Sequence, residues 1–434
     1  MGRRDEDAEG YNAERRAFFR TFGRQSVRSA GAVVGAAAEL RRAGGDAARE
    51  LFALGQDAPN VSTTAAGPTA DGDAPPDGSA AQFRSPYLVG HSGLTLLDQR
   101  VLPGRLETIA VRRASEIASA IRASVVNSGP VLADIAAFGL AEIARSESPG
   151  RAAQSFDQVF RAAIDTLRTA RSDVHALTAT LDRMQSRYEA IAVGEGDVAQ
   201  ELRAEAEAIV GEATTAHATL ARTGAEVLAA AAAGRDDGTP GTPLDLLMHG
   251  DSGPLSCGVV GTGTALIQAL IATGRSVHVW VTRAEPSAEG ARITSLQLAQ
   301  VDVPHTVIAD AAVGWLMAAR SIDGVLLRGD TVVANGDVAA LIGSRGVAHL
   351  AATADVAVYA LAPRTAWDAN AADAGRLSDP IRSTAETLAA MVGNAAYGRP
   401  QSFAASLSPR VDVLPRDLIS AYLTEDGPQP GGRV

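Results

Sequence analysis

The spacing of apolar residues divides the chain into stretches of different period. From Leu106 to about Ala233 the period is helical. "LETIAVRRASEIASAIRAS" sets Ile109, Ala114, Ile117, Ile121 and Val125 near one face. "NSGPVLADIAAFGLAEIARS" opens with Ser128, Gly129 and Pro130, and proline in a first turn is a helix-start signature. "SFDQVFRAAIDTLRTARSDV" is a further helix, and the stretch from His175 to Gly234 reads as two more. After "RDDGTPGTP" the pattern changes to short runs rich in Val, Leu and Ile: "LDLLMHG", "SVHVWVT", "HTVIAD", "GVLLRGD" and "VAVYALA". Helical segments lie between them: "TALIQALIATG", "ARITSLQLAQVD", "AAVGWLMAARS" and "VAALIGSRGVAHLAATA". Strands alternating with helices predict a mainly parallel sheet covered on both faces. The expected fold is therefore α/β, a helical N-terminal domain followed by a Rossmann-like parallel-sheet C-terminal domain.

Residues 56–84 are dominated by Pro, Gly, Ser, Thr and Asp and read as a disordered linker. The expected organisation is a basic helical segment over 1–55, the linker over 56–84, a helical domain over 85–234 and the Rossmann-like domain over 235–434. A chain of 434 residues is too long for one compact core, which agrees with two domains. In the N-terminal segment, paired arginines precede two phenylalanines, as in a twin-arginine export signal. The apolar part is short and is bracketed or interrupted by Gln25, Arg28 and Glu39, so an amphipathic basic helix is the preferred reading, with a cytoplasmic location.

Composition removes several classes of chemistry. All 39 basic residues are Arg, so Schiff-base catalysis and a lysine base are excluded. The net charge of −11 argues against a general nucleic-acid surface. A single cysteine, Cys257, rules out an intramolecular disulfide and a thiolate zinc site. The seven histidines show no metal-ligand spacing, and no apolar run reaches membrane-spanning length. No cofactor is expected.

Ligands of parallel sheets bind beyond the carboxyl ends of the strands. Here those ends are "HGDSGPLS", "TRAEPSAEGAR" and "GDTVVANGD". The glycine-rich loop His249–Leu266 leads into a helix but is not a clean G-x-G-x-x-G. It is either a phosphate- or sugar-binding loop or a plain strand-to-helix turn. Asp330 follows an apolar strand directly and is a candidate acid–base group. Asp337, after Asn335 and Gly336, reads as the cap of a helix. Cys257 reads as a buried small residue rather than a nucleophile. Arg171 is a candidate phosphate ligand or a solvated arginine.

Six blocks in order resemble the methylthioribose-1-phosphate isomerases. The wider family includes ribose-1,5-bisphosphate isomerases and the regulatory subunits of translation initiation factor 2B. "LTLLDQRVLP" is similar to L-x-L-L-D-Q-x-x-L-P, and "TARSDVHALTATLDRM" to A-R-P-T-A-V-N-L-x-W-A-L-D-R-M. "AIRASVVNSGPVLADIAAFGLA" is similar to A-I-x-x-M-x-V-R-G-A-P-A-I-G-x-A-A-A-Y-G. "TRAEPSAEGARITSLQL" resembles E-T-R-P-x-x-Q-G-A-R-L-T-A-x-E-L. "RGDTVVANGDVAALIGS" resembles G-A-D-R-I-x-x-N-G-D-V-x-N-K-I-G-T, and "SPRVDVLPRDLISAYLTEDG" the family's closing block.

The resemblance implies a homodimer, a sugar-phosphate or nucleotide ligand, and a place in methionine salvage. It implies aldose–ketose isomerisation, with Asp330 at the position of the family's catalytic Asp. Read from the residues themselves, Asp251 is a candidate second base beside it. Arg171, Ser128, Gly129, Glu289, Arg292 and Asn335 fall on substrate-binding positions. Several of these positions depart from the family. Gly250 stands where the family has its catalytic Cys, Asn127 where it has a phosphate-binding Arg, and Glu289 where it has Gln. Ala340 and Leu341 replace an Asn-Lys pair, while Arg328 adds a positive charge where the family has Gly. A divergent isomerase and a non-catalytic, ligand-binding relative of the factor 2B subunits both fit these residues.

Overall fold

The computed structural model describes residues 85–90, 93–126, 129–148, 153–192, 197–233, 243–320, 322–377 and 409–433. The basic segment over 1–55, the linker over 56–84, Asn127 and Ser128 lie outside them.

A small antiparallel sheet comes first: β1 (Tyr87–Gly90), β2 (Gly93–Leu97) and β3 (Thr108–Val111), in that order. The helical reading of "LETIAVRRAS" missed β3. Ile109 lies in that strand, and the helix begins only at Ala114. Alternating residues in "LETIAV" satisfy a strand as well as a helix over so short a window.

Five helices follow: α1 (Ala114–Arg122), α2 (Val131–Glu147), α3 (Ala153–Arg168), α4 (His175–Ala192) and α5 (Val198–Ala233). α2 is buried on every side from Val131 to Ala144, so it forms the axis of the N-terminal core. Phe138 of α2, Phe160 of α3 and Tyr188 of α4 pack in this core, with Phe160 and Tyr188 ring centroids 4.6 Å apart. α5 has 36 residues and a length of roughly 54 Å at 1.5 Å per residue. Its first half places Leu202, Ala206 and Ile209 in this core. Its second half places Leu220, Ala225 and Leu228 against the large sheet.

The large sheet has the order β13-β12-β9-β7-β4-β5-β6. β4 (Leu244–His249), β5 (Val277–Thr282), β6 (His305–Ile308), β7 (Gly324–Val333), β9 (Val358–Leu361) and β12 (Ala421–Thr424) are parallel. β13 (Gly427–Pro430) closes the edge in antiparallel fashion. α6 (Gly263–Ala272), α7 (Ser295–Gln300), α8 (Val313–Ala319) and α9 (Ser344–Thr353) connect the strands. One face of the sheet packs on α5 and α6, the other on α8 and α9. This is the Rossmann-like architecture the alternating pattern predicts.

The chain winds from β4 out to β5 and β6, then returns to the other side of β4 as β7. That reversal opens a crevice between the carboxyl ends of β4 and β7. β7 also runs beyond the parallel sheet. It forms a hairpin with β8 (Val338–Leu341), and β8 pairs with β11 (Val411–Leu414). β10 (Trp367–Asp368) pairs with the far end of β7. The expectation of a helix beginning at Val338 is thus corrected. Val338, Ala339 and Ala340 are buried strand residues, and α9 begins at Ser344. Asp337 is a hairpin-turn residue, not a helix cap: its Oδ1 accepts from the Arg416 backbone N–H at 3.0 Å. Gly336, at φ +88°, makes that tight turn.

Candidate active site

The crevice is built from two strand ends. Arg328 and Asp330 stand two residues apart on β7, where the pairing with β8 shifts register between Gly329 and Thr331. Arg328 Nε donates to Asp330 Oδ1 at 2.7 Å, and its Nη2 approaches Oδ2 at 3.4 Å. Its Nη1 donates to the Asp251 carbonyl at the end of β4. Arg328 is 6 % exposed and Asp330 5 %, so this is a buried ion pair. Burial opposes the guanidinium's charge, but Asp330, Cys257 and Glu289 outweigh it and push the Arg328 pKa above its ordinary value.

Asp251 and Glu289 complete the cluster. Glu289 Oε1 accepts from the Asp251 backbone N–H at 3.0 Å. Burial raises the Glu289 pKa, Arg328 opposes the rise, and the charges of Asp251 and Asp330 add to it. Glu289 therefore holds its proton to higher pH than an ordinary glutamate. Asp251 Oδ1 accepts from Gln297 Nε2 at 2.7 Å, from Gly253 N–H at 3.0 Å and weakly from Thr294 Oγ1 at 3.4 Å. Asp251 Oδ2 is buried and has no hydrogen-bond partner.

Gly250 has φ +80°, and a Cβ there would lie 2.7 Å from Leu341 Cδ2 and 3.2 Å from Glu289 Oε1. Leu341 thus packs against the position at which the resemblance expects a thiol. His249 is a structural neighbour. Its Nε2–H donates to the Ile342 carbonyl at 2.8 Å, so Nδ1 accepts from Thr282 Oγ1, also at 2.8 Å. Burial lowers its pKa and keeps the ring neutral. Cys257 is fully buried within van der Waals reach of Ser256 and Thr262 oxygens, and burial pushes its thiol up to about 11. It is the buried small residue the sequence favours.

The N-terminal domain reaches this crevice through two contacts. Gly129, at φ +148°, packs so closely that a Cβ would lie 2.3 Å from the Ser256 carbonyl. Ser256 Oγ in turn donates to the Asp251 carbonyl at 3.0 Å. Arg171 is buried, not solvated. It grips Asp173 through Nε at 2.8 Å and Nη2 at 2.5 Å. The Asp173 carbonyl accepts from Thr331 Oγ1 at 2.8 Å, next to Asp330.

Of the residues expected from sequence, Asp330, Asp251 and Glu289 come together. Gly129 and Arg171 border them, and Ser128 lies outside the described residues. Arg292 does other work: its Nη1 donates to the carbonyls of Gln99 and Leu102, at 2.8 and 2.9 Å, and its Nε to that of Ser287. It fastens the loop after β2 to the C-terminal domain. Asn335 is exposed in the β7–β8 turn and bonds to Asp337. Gln297, which orients Asp251, carried no signal in the sequence, because a glutamine on a short helix has no distinctive neighbours.

An α/β chain with helices on both faces of its sheet and its crevice at a strand-order reversal, lined by carboxylates around one arginine, defines the class. The Initiation factor 2 subunit family matches residues 125–430, and the chain belongs to that family. It is 32 % identical over 338 residues to the methylthioribose-1-phosphate isomerase of Chloroflexus aurantiacus, covering 78 % of this chain and 92 % of that one. The isomerase of Thermus thermophilus is 33 % identical over 334 residues, covering 76 % and 90 %. In structure the chain resembles 5-methylthioribose 1-phosphate isomerase from Pyrococcus horikoshii OT3, with a TM-score of 0.65, 23 % identity, and 80 % and 92 % of the two chains covered. It also resembles subunit delta of translation initiation factor eIF-2B from A. fulgidus, with a TM-score of 0.61, 24 % identity, and 80 % and 96 % covered. These structures share its fold.

Proposed function

We propose that the protein binds a sugar 1-phosphate in the crevice between β4 and β7 and acts as a divergent aldose–ketose isomerase. The observation that supports this is the convergence of Asp330, Glu289 and Asp251 on Arg328. Isomerisation of an aldose 1-phosphate breaks the bond from C1 to the ring oxygen and moves the C2 hydrogen to C1 as a proton; the C2 hydroxyl gives up its proton as C2 becomes the ketone, and the ring oxygen gains one. The reaction needs an acid and a base whose environments differ. Burial raises the Glu289 pKa, which suits it to the acid that protonates the ring oxygen. Asp330, with its oxygens turned to a guanidinium, suits the base. Gly129 and Arg171, at the N-terminal border of the crevice, are the proposed phosphate side. The proposal includes the homodimer and the cytoplasmic, methionine-salvage setting that the family resemblance implies.

A second reading has its own observation. Arg328 occupies both Asp330 oxygens, and Leu341 packs against Gly250, where the resemblance expects a thiol. On this reading the chain binds its ligand without turnover, as a relative of the factor 2B subunits.

Proton NMR of methylthioribose 1-phosphate incubated with the protein separates the two readings. Ketose signals that are absent with Asp330→Asn support the isomerase. Binding without ketose formation at high protein concentration supports the second reading, and absence of binding overturns both.

A further inference from the structure

Asp251 carries two carboxylate oxygens in unequal surroundings. Oδ1 is fully engaged by Gln297, Gly253 and Thr294. Oδ2 is as deeply buried and has no partner, although the residue is only 1 % exposed. A buried carboxylate oxygen left without a donor carries a desolvation cost. Native structures reserve such sites for a role.

The surroundings say what that role is. The backbone of Asp251 is held at both ends, its N–H by Glu289 and its carbonyl by Arg328 and Ser256. Three hydrogen bonds to Oδ1 lock the side-chain rotation. Oδ2 is therefore a rigid, pre-oriented acceptor. The Asp251 N–H donates to Glu289 and its carbonyl accepts from Arg328, which places the residue in the same cluster as the Arg328–Asp330 pair. An acceptor-only group in that position recognises a hydrogen-bond donor. It repels a phosphate, so it faces the sugar portion of a ligand and not its phosphate.

We infer that Asp251 Oδ2 is the hydroxyl-recognising contact of this site, accepting a hydrogen bond from a ring hydroxyl of the bound sugar. The inference rests on the sugar 1-phosphate reading above and assigns Asp251 to binding instead of to proton transfer. A site built around a buried acceptor rejects analogues that lack the donor, because the acceptor is then left stranded again.

The test is calorimetric titration of the full chain with ribose 1-phosphate, 2-deoxyribose 1-phosphate and 3-deoxyribose 1-phosphate. The inference expects one deoxy analogue to bind at least ~10-fold more weakly than ribose 1-phosphate, in line with a hydrogen bond to a charged acceptor. Asp251→Ala leaves neither an acceptor nor a donor at the position of Oδ2. That variant is expected to lose the discrimination. Equal binding of all three sugars by the unaltered protein overturns the inference and leaves the sugar 1-phosphate reading standing. So does discrimination that survives unchanged in Asp251→Ala. Failure of the unaltered protein to bind ribose 1-phosphate at all overturns that reading, and the inference with it.

Discussion

Arg328 and Asp330, two residues apart on β7, pair through a 2.7 Å hydrogen bond with both side chains almost wholly buried. The pair sits where β7 leaves regular pairing with β8, the register shifting between Gly329 and Thr331, and a bulge there re-aims a side chain. Burial of the pair makes each partner dependent on the other. Arg328→Leu leaves Asp330 without its guanidinium and is expected to destabilise the fold by about 3–5 kcal/mol. Arg328→Leu combined with Asp330→Asn is expected to recover most of that loss. Urea denaturation followed by circular dichroism measures both. A single-variant loss below about 1 kcal/mol would show that the pair does not bear on stability.

Asp134 of α2 sets a pH dependence of its own. Burial raises its pKa to about 7, while the hydroxyl of Tyr87, 3.2 Å from Oδ2, works the other way. A carboxyl whose folded pKa exceeds its unfolded value destabilises the fold when it ionises. The penalty is absent below about pH 4, grows as pH rises, and is complete above about pH 7. Glu289 acts in the same direction. His217, lowered by burial to about 4, acts oppositely and costs stability as pH falls from about 6.5 towards 4. Asp134→Asn is therefore expected to raise stability at pH 8 by roughly 2–4 kcal/mol and to leave it nearly unchanged at pH 4. Denaturation curves across that range check the sign, and a gain confined to low pH would contradict it.

Restoring a thiol at Gly250 meets two obstacles. The backbone has φ +80°, and the new Cβ would press on Leu341 Cδ2 at 2.7 Å. Gly250→Cys is expected to cost about 1–3 kcal/mol through overpacking and backbone strain. Leu341→Ala in the same chain is expected to relieve part of this cost. Thermal denaturation of the two variants decides it, and equal losses would mean that Leu341 is not the obstacle.

Cys257 is expected to be inert in the folded protein. Its thiol is buried and its pKa is raised to about 11, so thiolate is scarce at pH 8. Titration with a chromogenic disulfide should find no reactive thiol in the native state and one in guanidinium chloride. Rapid reaction of the native protein would place the thiol in contact with solvent.

The order of a helical region and then an alternating α/β region was readable because periodicity is a local property of the chain. Five parallel strands stand where short Val, Leu and Ile runs predicted them. β3 and β8 were not readable, since "LETIAV" and "VAALIG" satisfy two periods at once and only their partners select the strand. Asp330, Asp251 and Glu289 could be nominated from strand ends and resemblance. Their arrangement could not. Arg328 reaches the Asp251 carbonyl across 77 positions of sequence, and Arg292 reaches Gln99 across 193. The sequence by itself determined which residues stand at the carboxyl ends of the strands. Only the tertiary structure decided that Arg328 turns inward to Asp330, that Arg292 spends its donors on a loop, and that Asp251 Oδ2 is left open. Those outcomes depend on which distant groups the fold brings into contact: the adjacent ends of β4 and β7 bring Arg328 to Asp251, and the packing of the loop after β2 on the C-terminal domain brings Arg292 to Gln99.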